Sequence, residues 1–99
     1  MYRATTPQQI FNLKTDAASL AKILITFTQG DEIVIEKTKE QLSIDGTVVS
    51  FRFTQEETKK FDANKAVYIQ VRFKDAEGNV SASKKIAAQV EDVLNDEVL

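Results

Sequence analysis

Ile23-Leu24-Ile25-Thr26-Phe27-Thr28 decides the fold: large apolar side chains at 23, 25 and 27 alternate with Leu24, Thr26 and Thr28. A period of two places the first set on one face of an extended strand and the second on the other. A helix with this sequence would scatter the isoleucines and the phenylalanine around its circumference. The β-branched and aromatic composition points the same way. Gly30-Asp31 then punctuates, and Ile33 to Lys37 reads as the partner strand of a hairpin.

The same alternation recurs on both sides of this pair. Upstream, Ile10 to Leu13 is a short apolar run behind an arm containing Pro7. Downstream, Leu42 and Ile44 lead to Asp45-Gly46, a tight-turn pair whose two central residues need positive φ, and Val48 to Phe53 returns from it. Val67, Ile69, Val71 and Phe73 share one face of a further strand, with Tyr68, Gln70 and Arg72 on the other. Glu77-Gly78-Asn79 turns the chain into Val80 to Val90, where Ile86, Ala88 and Val90 fall in register.

One stretch breaks the pattern. Thr54-Gln55-Glu56-Glu57 has the spacing of a capping box and predicts a helical turn over residues 55–60. About seven short strands without strand–helix–strand alternation predict an all-β fold. The expectation is an immunoglobulin-like Greek-key β-sandwich, with one short helical turn between its fifth and sixth strands. Tyr68 falls where such a fold carries its corner tyrosine, although Gln70 stands in place of the usual Cys.

Ninety-nine residues suit one domain, here residues 1–90, followed by an acidic tail, 91–99. The body holds all 13 Lys and Arg against 11 acids, whereas Glu91, Asp92, Asp96 and Glu97 give the tail a charge of −4 with no base. The overall charge of −2 speaks against a dedicated nucleic-acid binder. No apolar run approaches the 18–20 or so residues of a membrane span. The first seven residues lack a signal pattern, and the expected location is cytoplasmic.

The chain has no Cys and no His, which removes thiolate chemistry, zinc–thiolate sites and the commonest general base. What chemistry remains is thin. S-x-x-K occurs as Ser19…Lys22 and Ser81…Lys84, but both matches fall beside strands rather than on one helical face. Asp75-x-Glu77-Gly78-Asn79 is too short for a calcium loop and reads as a solvated turn. Glu56 and Glu57 are adjacent, but Glu57 has its capping role. No catalytic, cofactor or metal residue is expected.

Two stretches are candidates for partner binding. Arg52, Tyr68 and Arg72 lie on the polar faces of the fifth and sixth strands, which a sandwich places in different sheets. In the tail, Val93, Leu94 and Val98, with Val90, recur at helical spacing beside acids, and could dock on a neighbouring subunit.

The order of these local signatures resembles small prophage-encoded proteins of Gram-positive bacteria. The matching pieces are Arg3-x-Thr5-Thr6-Pro7, Ile25-Thr26-Phe27-Thr28-Gln29, Glu36-Lys37-Thr38, and Thr54 to Thr58 with Phe61. Ile69-Gln70-x-Arg72, Gly78 with Ala82-Ser83, and Val93 to Val98 complete them, and Ala4 departs from the usual Gly. The resemblance implies a virion or assembly protein of head, connector or tail, without supplying functional residues. Its implied partners are other virion proteins or further copies of itself, reached through the arm before Pro7, the tail or an edge strand. The alternative is a carbohydrate-binding β-sandwich module, weakened by the absence of Trp and the presence of only two Tyr.

Overall fold

The structure is a computed structural model that describes residues 1–83, 85–91, 93 and 99. Among the described residues eight strands form in chain order: β1 (Gln8–Asn12), β2 (Lys22–Gln29), β3 (Glu32–Thr38), β4 (Ser43–Asp45), β5 (Val48–Arg52), β6 (Ala66–Lys74), β7 (Val80–Ala82) and β8 (Ile86–Gln89). One α-helical turn, α1 (Gln55–Thr58), joins β5 to β6. The strands divide into a three-stranded sheet, β1-β5-β4, and a five-stranded sheet, β3-β2-β6-β7 with β8 also on β6. Each pairing between these strands is antiparallel.

The all-β class stands, and the strand order differs from that of an immunoglobulin sandwich. There the second strand lies beside the first and fifth. Here β2 lies between β3 and β6. Loop length is the reason. Gln29 pairs with Glu32, so β2 and β3 are joined by Gly30-Asp31 alone, and two residues cannot carry a chain from one layer to the other. Tyr68 accordingly projects from an outer face, 45% exposed, and is no corner tyrosine.

The β4–β5 turn is displaced by one residue from the predicted Asp45-Gly46. Asp45 pairs with Val48, which leaves Gly46-Thr47 as the loop with φ of +60° at Gly46. Glycine in the first central position meets the need of that turn type without a second positive φ.

The predicted strand from Val80 to Val90 is interrupted. Arg72 pairs with Ala82 whereas Ile69 pairs with Ile86, so one extra residue lies on the second strand between them. Ser83 makes the interruption tolerable: its amide donates to Val71 O at 2.8 Å and its Oγ accepts from Val71 N at 3.0 Å. A side-chain oxygen there does the work of a ladder carbonyl.

The inward faces meet in an aromatic cluster. Phe27 of β2 lies edge-on to Phe51, Phe53 and Phe61, with ring centroids 5.8, 5.0 and 6.2 Å away. Ile25, Val49, Val67 and Val71 fill the space around them and are buried. Two polar side chains share this interior, each with partners. Gln29 holds Asp62 by a reciprocal pair, Nε2 donating to the carbonyl at 3.0 Å and Oε1 accepting from the amide at 2.7 Å. The Thr58 hydroxyl binds both the amide and the carbonyl of Thr5.

Thr58 is one of several ties that fold the N-terminal arm onto its own domain. Arg3 donates from Nε to Phe61 O and from Nη2 to Lys59 O, capping carbonyls beyond α1. Tyr2 bridges in parallel to Glu91, with Arg3 N on Glu91 O and Glu91 N on Met1 O. Backbone groups of Met1, Arg3 and Thr5 in this arm are thereby paired within the chain itself.

Candidate functional site

The predicted capping box forms. The Glu57 amide donates to Thr54 Oγ1 at 3.1 Å, and Glu57 Oε1 accepts from the Thr54 amide at 3.0 Å. The other carboxylate oxygen of Glu57 takes the ammonium of Lys37, which also lies 5.4 Å above the Phe51 ring. Burial alone would raise the Glu57 pKa. The Lys37 hydrogen bond and the Thr54 amide outweigh it and hold the carboxyl below its ordinary value near 4.5.

Glu40 is lowered by backbone and Thr38 hydrogen bonds, and Asp75 by the amide and side chain of Asn79. A carboxyl with a depressed folded pKa contributes stability above its unfolded pKa and loses it as pH falls through the folded one. Urea midpoints are therefore expected to drop once the pH goes below about 4.5, and Glu57→Gln is expected to flatten that dependence.

Asp75 also settles the turn that resembled a calcium loop. Its Oδ1 accepts from the amides of Glu77 and Asn79, both at 2.9 Å, and Oδ2 from Asn79 Nδ2 at 3.2 Å, so its carboxylate closes the turn. Among the described residues, no group of three or more Asp and Glu side chains is placed to hold a metal ion. Ser19 Oγ donates to Asp16 O at 2.8 Å within a short 3-10 turn, whereas Lys22 begins β2. Lys84 of the second S-x-x-K lies outside the described residues.

The predicted binding residues divide between the two sides of the sandwich. Arg52 lies on β5, where its Nη1 donates to Thr6 O at 2.7 Å and steadies the arm. Tyr68 and Arg72 share the opposite outer face, that of the five-stranded sheet, with Gln70 between them. Val93 is half-buried, and Leu94 and Val98 lie outside the described residues.

That outer face is the candidate site. The β2–β6 register sets Thr28 opposite Tyr68, Thr26 opposite Gln70, Leu24 opposite Arg72 and Lys22 opposite Lys74. A shallow depression of about 340 Å³ runs across it, bordered by Leu24, Ile33, Tyr68, Arg72 and Lys85. Ile33 and Val80 add exposed apolar surface, at 59% and 57%. The end of the face is basic: Lys22 lies directly across from Lys74 and diagonal to Arg72. Among the described residues none of these three has a carboxylate within salt-bridge distance.

Sequence reading found Tyr68, Gln70 and Arg72 through alternation but missed Lys22, Lys74 and Ile33. Lys22 and Lys74 sit one step beyond the apolar runs, and only the pairing register reveals that they face each other. Comparison with protein-family models, curated proteins and solved structures returns no match. No helix among the described residues is long and apolar enough to cross a membrane.

Proposed function

We propose that this chain is a non-enzymatic interaction module that binds an acidic surface of a partner protein through the outer face of its five-stranded sheet. The setting is that of a virion or assembly protein, as the sequence resemblance implies. The observation that carries the reading is the Lys22–Lys74 pair with Arg72 beside it. Like charges directly opposite in a sheet cost about 0.2–1 kcal/mol, and among the described residues no carboxylate offsets them. A partner carboxylate would. Tyr68 and Arg72 are also the residue types that most often anchor protein interfaces, and exposed Ile33 and Val80 with half-buried Leu24 supply apolar area around them.

The test is titration calorimetry against purified proteins encoded beside this one, at low and high salt. Arg72→Glu is expected to weaken binding by about 10–100-fold and to flatten the salt dependence. Arg52→Glu, on the other side of the sandwich, is expected to leave binding unchanged. Equal affinity of wild type and Arg72→Glu would remove the assignment of this face. Saturable binding of the isolated protein to a glycan would favour the carbohydrate reading instead.

A further inference from the structure

Of the strands at sheet edges, β3 carries Glu32, Glu36 and Lys37, β4 and β7 have three residues each, and β8 has four beyond the interruption at Ser83. Charge and brevity are the usual guards against edge-to-edge pairing. β1, Gln8-Gln9-Ile10-Phe11-Asn12, has neither: it is the longest edge strand without a charged side chain. Ile10, at its centre, is 64% exposed.

The hydrogen-bond phase of β1 shows which groups are left over. Phe53 N donates to Pro7 O and Leu13 N to Thr47 O, so residues 7 and 13 are hydrogen-bonded positions in the β1–β5 ladder. Such positions recur every second residue, which assigns 9 and 11 to β5 as well. The amides and carbonyls of Gln8, Ile10 and Asn12 therefore point away from β5, and among the described residues no strand receives them. These three positions are symmetric about Ile10.

We propose that a second copy of this chain pairs with β1 antiparallel across a twofold axis at Ile10. Ile10 then exchanges both backbone hydrogen bonds with its own copy, and Gln8 does so with Asn12 of the second copy. The two three-stranded sheets become one of six strands. Side chains follow the same symmetry. Ile10 meets Ile10 on the outer face and is covered, while Phe11 of the second copy enters opposite Gln9 on the inner face. That inner face borders an open apolar groove of about 300 Å³ between Phe11 and Leu13 of one sheet and Phe73 and Ile86 of the other. The added strand would roof it. β1 itself brings no charge to the approach. This pairing uses an edge of the three-stranded sheet and is independent of Arg72 and the basic face.

The interface is small, so association is expected to be concentration-dependent. Sedimentation velocity over a wide concentration range is expected to show a monomer–dimer equilibrium. Ile10→Pro deletes the outward amide while sparing the β5 ladder, and is expected to weaken association by about tenfold or more. Ile10→Lys, with its side chain on the exposed face, gives the same loss should the proline variant fail to fold. The chain has no cysteine, so single thiols report the register. At the twofold axis the two Cα atoms at position 10 are about 5.5 Å apart, within disulfide range, and those at position 8 are more than about 13 Å apart. Ile10→Cys is expected to cross-link at least about tenfold faster than Gln8→Cys under mild oxidation. A protein monomeric at every concentration, equal cross-linking of the two variants, or undiminished association of Ile10→Lys would each overturn the proposal.

Discussion

Phe27→Ala is expected to remove about 3–5 kcal/mol of stability, which a domain of this size can barely spare. The side chain is fully buried and its ring faces three others edge-on. Those three rings come from separate parts of the chain: Phe51 from β5, Phe53 from the residue after it, and Phe61 from the connection beyond α1. Phe27 is thus the point at which the five-stranded sheet grips the three-stranded one. Its removal leaves a void walled by Phe51, Phe53 and Phe61, which are themselves buried and packed edge-on against one another, so that they close it only in part. The total stability expected for a chain of this length is about 5–15 kcal/mol, so at the lower end of that range the variant keeps only a small part of it.

Urea unfolding provides the measurement, with the midpoint falling and the slope unchanged because the surface exposed on unfolding is the same. Val80→Ala is the control, since an apolar side chain 57% exposed at a short edge strand should move stability by less than about 0.5 kcal/mol. A loss below about 1 kcal/mol for Phe27→Ala would show that the two layers are held together elsewhere.

The same residue marks what the sequence made legible. Alternation around Phe27, and again around Val71, is a local signal, and it correctly separates inner from outer faces on β2 and β6. Partition into sheets is not local. It follows from how many residues join two strands, and Gly30-Asp31 already forbade the immunoglobulin order that a count of strands suggested. The split between β7 and β8 carries no hydrophobic signal either, because a serine hydroxyl replaces a backbone carbonyl at that point. For the candidate site, alternation was enough to put Tyr68 and Arg72 on one face. Pairing Lys22 with Lys74 needed the register, which depends on long-range contacts between β2 and β6.

Glu57→Ala is expected to cost about 2–4 kcal/mol, more than loss of a helix cap alone, because it also strands Lys37. Lys37 pairs with Ile25 on the inward side of β3, where its side chain is 11% exposed, and its ammonium has Glu57 as its ion-pair partner. The pair spans a seam: β3 belongs to the five-stranded sheet, while α1 continues from β5 of the other. It closes the edge of the sandwich opposite the open groove beside β1. A cation left there without its carboxylate is the main source of the loss, and a second substitution can show this. Lys37→Met removes the charge and keeps an apolar stem against Phe51, so alone it should cost less than about 1 kcal/mol. On the Glu57→Ala background it should restore stability, since only the cap is then missing. The double variant is thus expected to be more stable than Glu57→Ala by about 1–2 kcal/mol. Additive losses would mean that Glu57 acts solely on α1 and that the seam is held by packing of Phe51 and Phe53 without help from the ion pair.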